Sequence, residues 1–328
     1  MKMTKKSKHI LITGACGQIG TELTQELRER YGHENVLATD IKEDVPSEIR
    51  DTGPYQILDV TDVSGLKQTI NKNRIDTIYH MSAILSATGE KKPQLAWNVN
   101  MMGTYNILEA SRELDVRKVF VPSSIAVFGP ETPRQNTPQE TILLPQTIYG
   151  VTKVAGELLS EYYVRRFGLD VRGCRYPGII SHKTLPGGGT TDYAVAIFYE
   201  AVKYKKYTCF VNENTRLPMM YMPDCLKATL DLMDADFFRL KHHACFNVSG
   251  MSFTAGELAA EIKNHIPEFK CTFEPDERQQ IADSWPSTID DSAARSEWGW
   301  KPDYDLESMT KDMLSVLTKR HQVGKLNY

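Results

Sequence analysis

Cysteine is scarce in this sequence, and its spacing points neither to a disulfide framework nor to a metal site. The six cysteines (Cys16, Cys174, Cys209, Cys225, Cys245 and Cys271) form no C-x-x-C pair and no zinc pattern. They are expected to be reduced thiols, mostly in the core, of a protein in a reducing compartment. Excess positive charge is also missing. With 39 basic and 42 acidic residues the formal net charge is -3, which argues against a nucleic-acid partner. No apolar run is long enough to cross a membrane. The basic start, Lys2 to His9, has no apolar stretch of the secretory kind and is short for a transit peptide. Repeats and low-complexity segments are absent. A cytoplasmic globular enzyme is the expectation, with the mitochondrial matrix open if the source is eukaryotic.

What is present starts at His9. An apolar strand runs into a turn with three glycines, Gly14, Gly17 and Gly20, and a second strand ends twenty residues later on Asp40. Strand, glycine turn, helix, strand and acid is the order a dinucleotide site requires. The glycines allow a tight turn that brings backbone amides to a pyrophosphate, and the helix N-terminus opposes its charge. The acid can accept hydrogen bonds from ribose hydroxyls.

The spacing of apolar residues predicts strands at 9–13, 36–40, 56–60, 76–81, 117–122 and 169–175. It predicts helices at 18–31, 62–73, 93–114 and 149–167. This rhythm implies a parallel sheet covered on both faces. The fold class is therefore α/β, a Rossmann-type doubly wound parallel sheet with a smaller α/β substrate-binding domain. The nucleotide-binding domain is expected at 1–176 with a returning segment at 221–250, and the smaller domain at 177–220 and 251–328. The glycine-rich stretch 187–191 feeds a helix from Asp192, and Thr254 with Glu257 has capping-box spacing.

Tyr149 and Lys153 stand four apart, on one face of a helix. A free tyrosine has a pKa near 10, and lowering it by about three units takes roughly 4 kcal/mol. One ammonium at about 4 Å, at an effective dielectric near 20, supplies roughly that much, while desolvation opposes it. The same pair also suits an ordinary amphipathic helix. Upstream, the strand Val119-Phe-Val-Pro ends on Ser123 and Ser124. A serine at the carboxyl edge of a parallel sheet can hold a substrate hydroxyl or simply cap a turn. His80, on an apolar strand with no ligand cluster around it, reads as a satisfied buried histidine.

Together these pieces resemble the extended short-chain dehydrogenase/reductase superfamily. They are Gly14-x-x-Gly17-x-x-Gly20, Asp40, Asp59-Val60, Asn100, Ser123-Ser124-Ile-Ala-Val-Phe-Gly, and Tyr149 with Lys153. Met220-Tyr-Met-Pro-Asp224, Phe246-Asn-Val-Ser and Trp298-Gly-Trp-Lys-Pro extend the match over nearly the whole chain. Within the superfamily, five features resemble the NAD-dependent L-threonine 3-dehydrogenases. They are Tyr176-Pro-Gly-Ile-Ile, the stretch from Leu185 to Tyr193, Leu217-Pro-Met-Met-Tyr-Met-Pro-Asp224, Ile281-Ala-Asp-Ser-Trp-Pro with Asp290-Asp291, and Phe128 where many relatives have tyrosine.

The resemblance implies NAD as cofactor. Its site would comprise Gly14, Gly17, Gln18, Ile19, Gly20, Asp40, Ile41, Asp59, Val60, Met81, Ser82, Ala83, Asn100, Tyr149, Lys153, Tyr176 and Ile179. Catalysis would fall to Tyr149 as base, Lys153 as its charge partner, Ser124 as holder of the hydroxyl, and Asn100 as the group ordering a water beside Lys153. Asn100 also suits a helix asparagine bonded to backbone. L-Threonine, the expected substrate, would meet Ser82, Ser124, Tyr149, Thr190, Thr191, Asp192 and Trp285. Thr191 or Asp192 can equally open the next helix, Ser82 can be a turn serine, and Trp285 can be core. A homodimer through 93–114 and 149–167 is implied by analogy. Two rivals stay open: a nucleotide-sugar epimerase or dehydratase on the same frame, and a non-catalytic NAD-binding regulator.

Overall fold

The computed structural model describes residues 8–183, 187 and 189–326. Most of the basic start, and Leu185, Pro186 and Gly188 of the glycine-rich stretch, lie outside the described residues. Six parallel strands form the central sheet. They are β1 (Ile10–Thr13), β2 (Val36–Asp40), β3 (Tyr55–Ile57), β4 (Thr77–His80), β5 (Lys118–Phe120) and, after a two-residue strand β6 (Ser123–Ser124), β7 (Asp170–Arg172). Their order is β3-β2-β1-β4-β5-β7. The order reverses between β1 and β4, and ligands of such sheets bind at the carboxyl ends of the strands on either side of that point.

The strands alternate faces as their sequences do. Leu11, Leu37, Ile78, Val119 and Val171 pack on one side, and Ile10, Ile12, Ala38, Tyr79 and Phe120 on the other. Helices cover both faces. Gln18–Tyr31 and Met222–Asp234 bury Leu23, Leu27, Cys225 and Leu232 on the second side. Leu66 and Ile70 of Val63–Lys72 and Ile107 and Leu108 of Gly103–Glu113 pack on the first. A third apolar cluster joins the helices Tyr193–Tyr204, Ala255–His265 and Leu306–Gln322 to the later strands.

Three expectations need correction. The run 169–175 is two strands: the chain leaves the central sheet at Gly173, and β8 (Cys174–Tyr176) pairs with β6 and with β12 (Phe246–Asn247). Gly173 permits this because a Cβ there would lie 2.1 Å from the carbonyl oxygen of Val121. The strand expected at 56–60 ends at Ile57, and Asp59 turns the chain by accepting the Thr61 N–H and hydroxyl. The helix expected at 93–114 is interrupted by a π-helical turn at Trp97–Met102, a widening found most often at functional sites.

After β9 (Gly178–Ile180) and β10 (Lys206–Cys209) comes β11 (Arg216–Tyr221), which joins β9 and β13 (Met251–Thr254) in a small mixed sheet. Strand β10 pairs with β14 (Lys270–Phe273). The capping box forms as its spacing predicts: Thr254 and Glu257 each accept the other's backbone N–H. The six cysteines are free thiols, four of them buried. No described helix is long and apolar enough to cross a membrane.

Candidate active site

The glycine turn sits at the carboxyl end of β1, beside the end of β4. Gly14 has φ +67°, and a Cβ on it would meet the Ser82 nitrogen at 2.6 Å. A Cβ on Gly20 would lie 2.1 Å from the Gly14 carbonyl oxygen. Only glycine lets the turn close this tightly. Gly17 caps the helix Gln18–Tyr31 without a side chain, so no side-chain cap competes for the amides of its first turn. The cradle thus fits a dinucleotide pyrophosphate.

Asp40, at the end of β2, accepts three backbone N–H groups, from Cys16 (3.0 Å), Ile41 (2.8 Å) and Lys42 (3.3 Å). Its carboxylate is thereby fixed at the edge of the turn.

A cleft of about 1060 Å³, counting its open mouth, runs from this turn to the glycine-threonine loop. Of the residues expected from sequence in the cofactor site, Gly14, Gly17, Gln18, Ile19, Gly20, Met81, Ala83, Tyr176 and Ile179 line this cleft. Ser124, Tyr149, Lys153, Thr190, Thr191, Asp192 and Trp285 line it as well. Asp40, Ile41, Asp59 and Val60 do not line it; they stand near the ends of β2 and β3, where Val60 is buried and Asp59 holds its own turn. Sequence reasoning missed Leu85, Ser86, Pro122, Ser123 and Pro177 in the lining. Pro122 and Ser123 were within reach of it, since they adjoin Ser124 on the same strand end.

Tyr149 opens the helix Ile148–Phe167, whose N-cap Thr147 accepts the Gly150 N–H. Burial pushes the Tyr149 phenol up to about 12, and a hydrogen bond with the Ser124 side chain acts in the opposite direction. The expected lowering is thus reversed in the protein alone, because burial outweighs what surrounds the phenol. Lys153 donates to the carbonyl of Pro122 at 2.7 Å, and its ammonium is 5.5 Å from the centre of the Tyr149 ring. Burial pushes Lys153 down to about 8, against the attraction of Glu157.

Behind Lys153 lies a smaller polar pocket of about 370 Å³, counting its open mouth, lined by Ser82, Asn100, Glu157 and His80 among others. Asn100 takes up its position from the π-helical turn. Its amide accepts the Ile84 N–H (2.7 Å) and donates to the Ile84 carbonyl (3.0 Å), which pins the segment after β4. This is the backbone-bonding alternative, made across the fold rather than locally. His80 is buried as expected but only one ring nitrogen is paired: Nδ1 bonds the Thr13 hydroxyl at 2.9 Å, while Nε2 has no partner among the described residues. Burial pushes His80 down to about 3, so it is neutral.

At the far wall Thr190 is buried, and its hydroxyl has no partner among the described residues. Asp192 accepts the Gly189 N–H at 2.7 Å and stands at the N-cap of Tyr193–Tyr204 without a side-chain cap bond. Trp285 serves both alternatives, lining the cleft and packing in the core. Among the described residues no group of His, Cys, Asp and Glu is placed to hold a metal ion. The site therefore offers a glycine cradle, a phenol with a serine and an ammonium beside it, and a polar wall facing them.

Comparison with known proteins agrees. Residues 10–247 match the sequence profile of the NAD dependent epimerase/dehydratase family. An uncharacterised epimerase/dehydratase of Staphylococcus aureus (strain MRSA252) is 50% identical over 321 residues, 98% of this chain and 100% of that one. An L-threonine dehydrogenase structure from Clostridium difficile is 50% identical with a TM-score of 0.93, covering 96% of this chain and 99% of that one. An L-threonine 3-dehydrogenase described as monomeric, from a metagenome, is 49% identical with a TM-score of 0.91 and covers 94% and 99%.

Proposed function

This chain belongs to the NAD-dependent epimerase/dehydratase family, and we propose that within it the protein oxidises the 3-hydroxyl of L-threonine to 2-amino-3-oxobutanoate. One observation carries the reading. A single cleft runs from the glycine cradle past Ser124, Tyr149 and Lys153 to the Thr190 hydroxyl and the Asp192 carboxylate, in a chain about half identical to L-threonine dehydrogenases. A small zwitterion carrying a hydroxyl suits that wall.

NAD supplies the acceptor for the hydride that leaves C3. Gly14, Gly17, Gln18, Ile19 and Gly20 hold its pyrophosphate, and Asp40 takes the adenosine ribose. Tyr149 receives the proton of the substrate hydroxyl. Ser124 holds the hydroxyl oxygen as charge develops on it. Lys153 keeps positive charge beside the phenol and grips the second ribose. Asn100 fixes the Ile84 segment against the cofactor side of the cleft. Asp192 faces the substrate ammonium, and Thr190 donates to its carboxylate. The nucleotide-binding part spans 1–176 and 221–250, and the substrate-binding part 177–220 and 251–328.

The reading includes a homodimer. Trp97, Met102 and Tyr105 on one helical stretch and Val151, Leu158 and Tyr162 on the Tyr149 helix are exposed apolar side chains, and exposed apolar surface of this kind marks an interface. Sedimentation tests it, with a monomer at micromolar concentration as the opposing result. A cytoplasmic location, in keeping with six free thiols, belongs to the same reading.

One assay decides the function: NADH formation from a panel of 3-hydroxy amino acids and nucleotide sugars. Turnover of L-threonine is expected. Conversion of nucleotide sugars alone would make the protein an epimerase or dehydratase. NAD+ binding with no turnover on any compound would make it a regulator.

A further inference from the structure

Glu157 lies one turn beyond Lys153 on the same helix, and at this spacing Cβ atoms are about 5–6 Å apart. It is 5% exposed and has no part in the chemistry above. Arg175 on β8 grips its carboxylate with two hydrogen bonds, Nε to Oε1 at 2.9 Å and Nη2 to Oε2 at 2.8 Å. The carboxylate also accepts the Ser123 hydroxyl. Ser123 sits between Pro122, whose carbonyl holds the Lys153 ammonium, and Ser124, which contacts Tyr149. No direct ion pair joins Glu157 to Lys153; the two line the same pocket.

We propose that Glu157 is a positioning residue for the oxidation: through Ser123 it fixes the strand end that holds Lys153, and it sets a buried negative charge one turn from the ammonium. The proposal rests on the threonine-oxidation reading. Arg175 anchors the arrangement from behind, bonded also to the Gln139 carbonyl and the Asn247 side chain. The remaining titratable groups facing Lys153 are Tyr149, on its own helix, and His80 on β4, which is neutral. Glu157 is thus the negative charge that opposes the burial of the ammonium. Removing it lowers the pH at which Lys153 loses its proton, and a neutral Lys153 leaves the phenol harder to ionise.

The test compares wild type, Glu157→Gln and the double variant Glu157→Gln/Arg175→Met. The double variant removes both buried charges, so it avoids the unpaired arginine that threatens the folding of the single one. Each is assayed for threonine oxidation across pH, for NAD+ affinity across pH and for Tm. In both variants the ascending limb of kcat is expected to move up by about one pH unit, lowering kcat near neutral pH about tenfold, with KM changed less than about threefold. The pH above which NAD+ affinity weakens is expected to move down by about one unit. Wild-type profiles in the double variant overturn the proposal, because Glu157 would then serve only to neutralise Arg175. Activity that falls in proportion to Tm with no change in either profile overturns it too. If wild type oxidises no threonine, the functional reading fails, while the NAD+ profiles still decide the role of Glu157.

Discussion

Lys153 gives its hydrogen bond to the Pro122 carbonyl oxygen, 2.7 Å away, and not to Tyr149 one turn earlier on its own helix. The strand end therefore fixes the lysine, with its ammonium 5.5 Å from the centre of the Tyr149 ring. Burial pushes Tyr149 up to about 12, and the hydrogen bond with Ser124 acts against it. Bound NAD+ would add the positive charge of its nicotinamide ring, which would favour ionisation of the phenol. Turnover should accordingly rise with pH through the neutral range.

Replacing Tyr149 by phenylalanine removes the proposed proton acceptor while changing little of the side chain's volume. Tyr149→Phe should lower kcat for L-threonine at least about 100-fold, the low end of what a general base contributes. NAD+ affinity should change little. Near-native turnover in steady-state assays would remove Tyr149 from its role.

The lysine predicts a dependence of stability on pH. Its folded pKa of about 8 lies below the unfolded value near 10.4. Between these values the unfolded chain binds more protons, so stability rises with pH through that window. Below about 8 the folded protein carries the full cost of a buried ammonium. Lys153→Met should therefore raise Tm at pH 7 while abolishing turnover, and the gain should shrink as pH climbs from about 8 to about 10.4. A gain in Tm that stays constant from pH 7 to 10.5 would refute this.

Asp40 predicts the choice of nucleotide. Its carboxylate is held by three backbone amides and would repel a 2′-phosphate. Lys42 partly offsets that repulsion, since its ammonium approaches the Cys16 carbonyl at 3.4 Å. NAD+ should be preferred over NADP+ at least about tenfold in kcat/KM, a difference of about 1.4 kcal/mol. Asp40→Ala should narrow the gap and also weaken NAD+, because the Cys16 amide loses its acceptor. A wild-type preference for NADP+ would overturn the assignment.

Asp192 separates a binding role from a structural one. Asparagine in its place keeps a carbonyl oxygen for the Gly189 N–H, so the loop contact survives while the charge is lost. A charge-assisted hydrogen bond contributes about 1.5–3 kcal/mol, so Asp192→Asn should weaken kcat/KM for L-threonine roughly 10- to 150-fold. Tm and NAD+ affinity should stay near wild type. Full efficiency would refute contact with the substrate ammonium. Joint collapse of activity and Tm would make the residue structural.

Much of the site is local and was legible in the chain itself. Gly14, Gly17 and Gly20 specify a tight turn wherever they fall after a strand, and Tyr149 and Lys153 share a face because a helix repeats every 3.6 residues. Glu157 stands at the same interval but was not singled out from the sequence, because its meaning required Arg175 and Ser123, which are distant in sequence. Asn100 shows the same limit: its bonds to the Ile84 backbone depended on where Ile84 lay in the fold.

The alternation of apolar segments determined a parallel sheet with helices on both faces, since each pattern has only one way to bury its apolar side. The tertiary structure alone decided that the chain leaves the sheet at Gly173, where the backbone of Val121 comes too close for any side chain. It also decided that burial pushes the Tyr149 phenol up. That balance sets burial against the Ser124 hydrogen bond, and burial is a property of everything packed around a residue rather than of its neighbours in sequence.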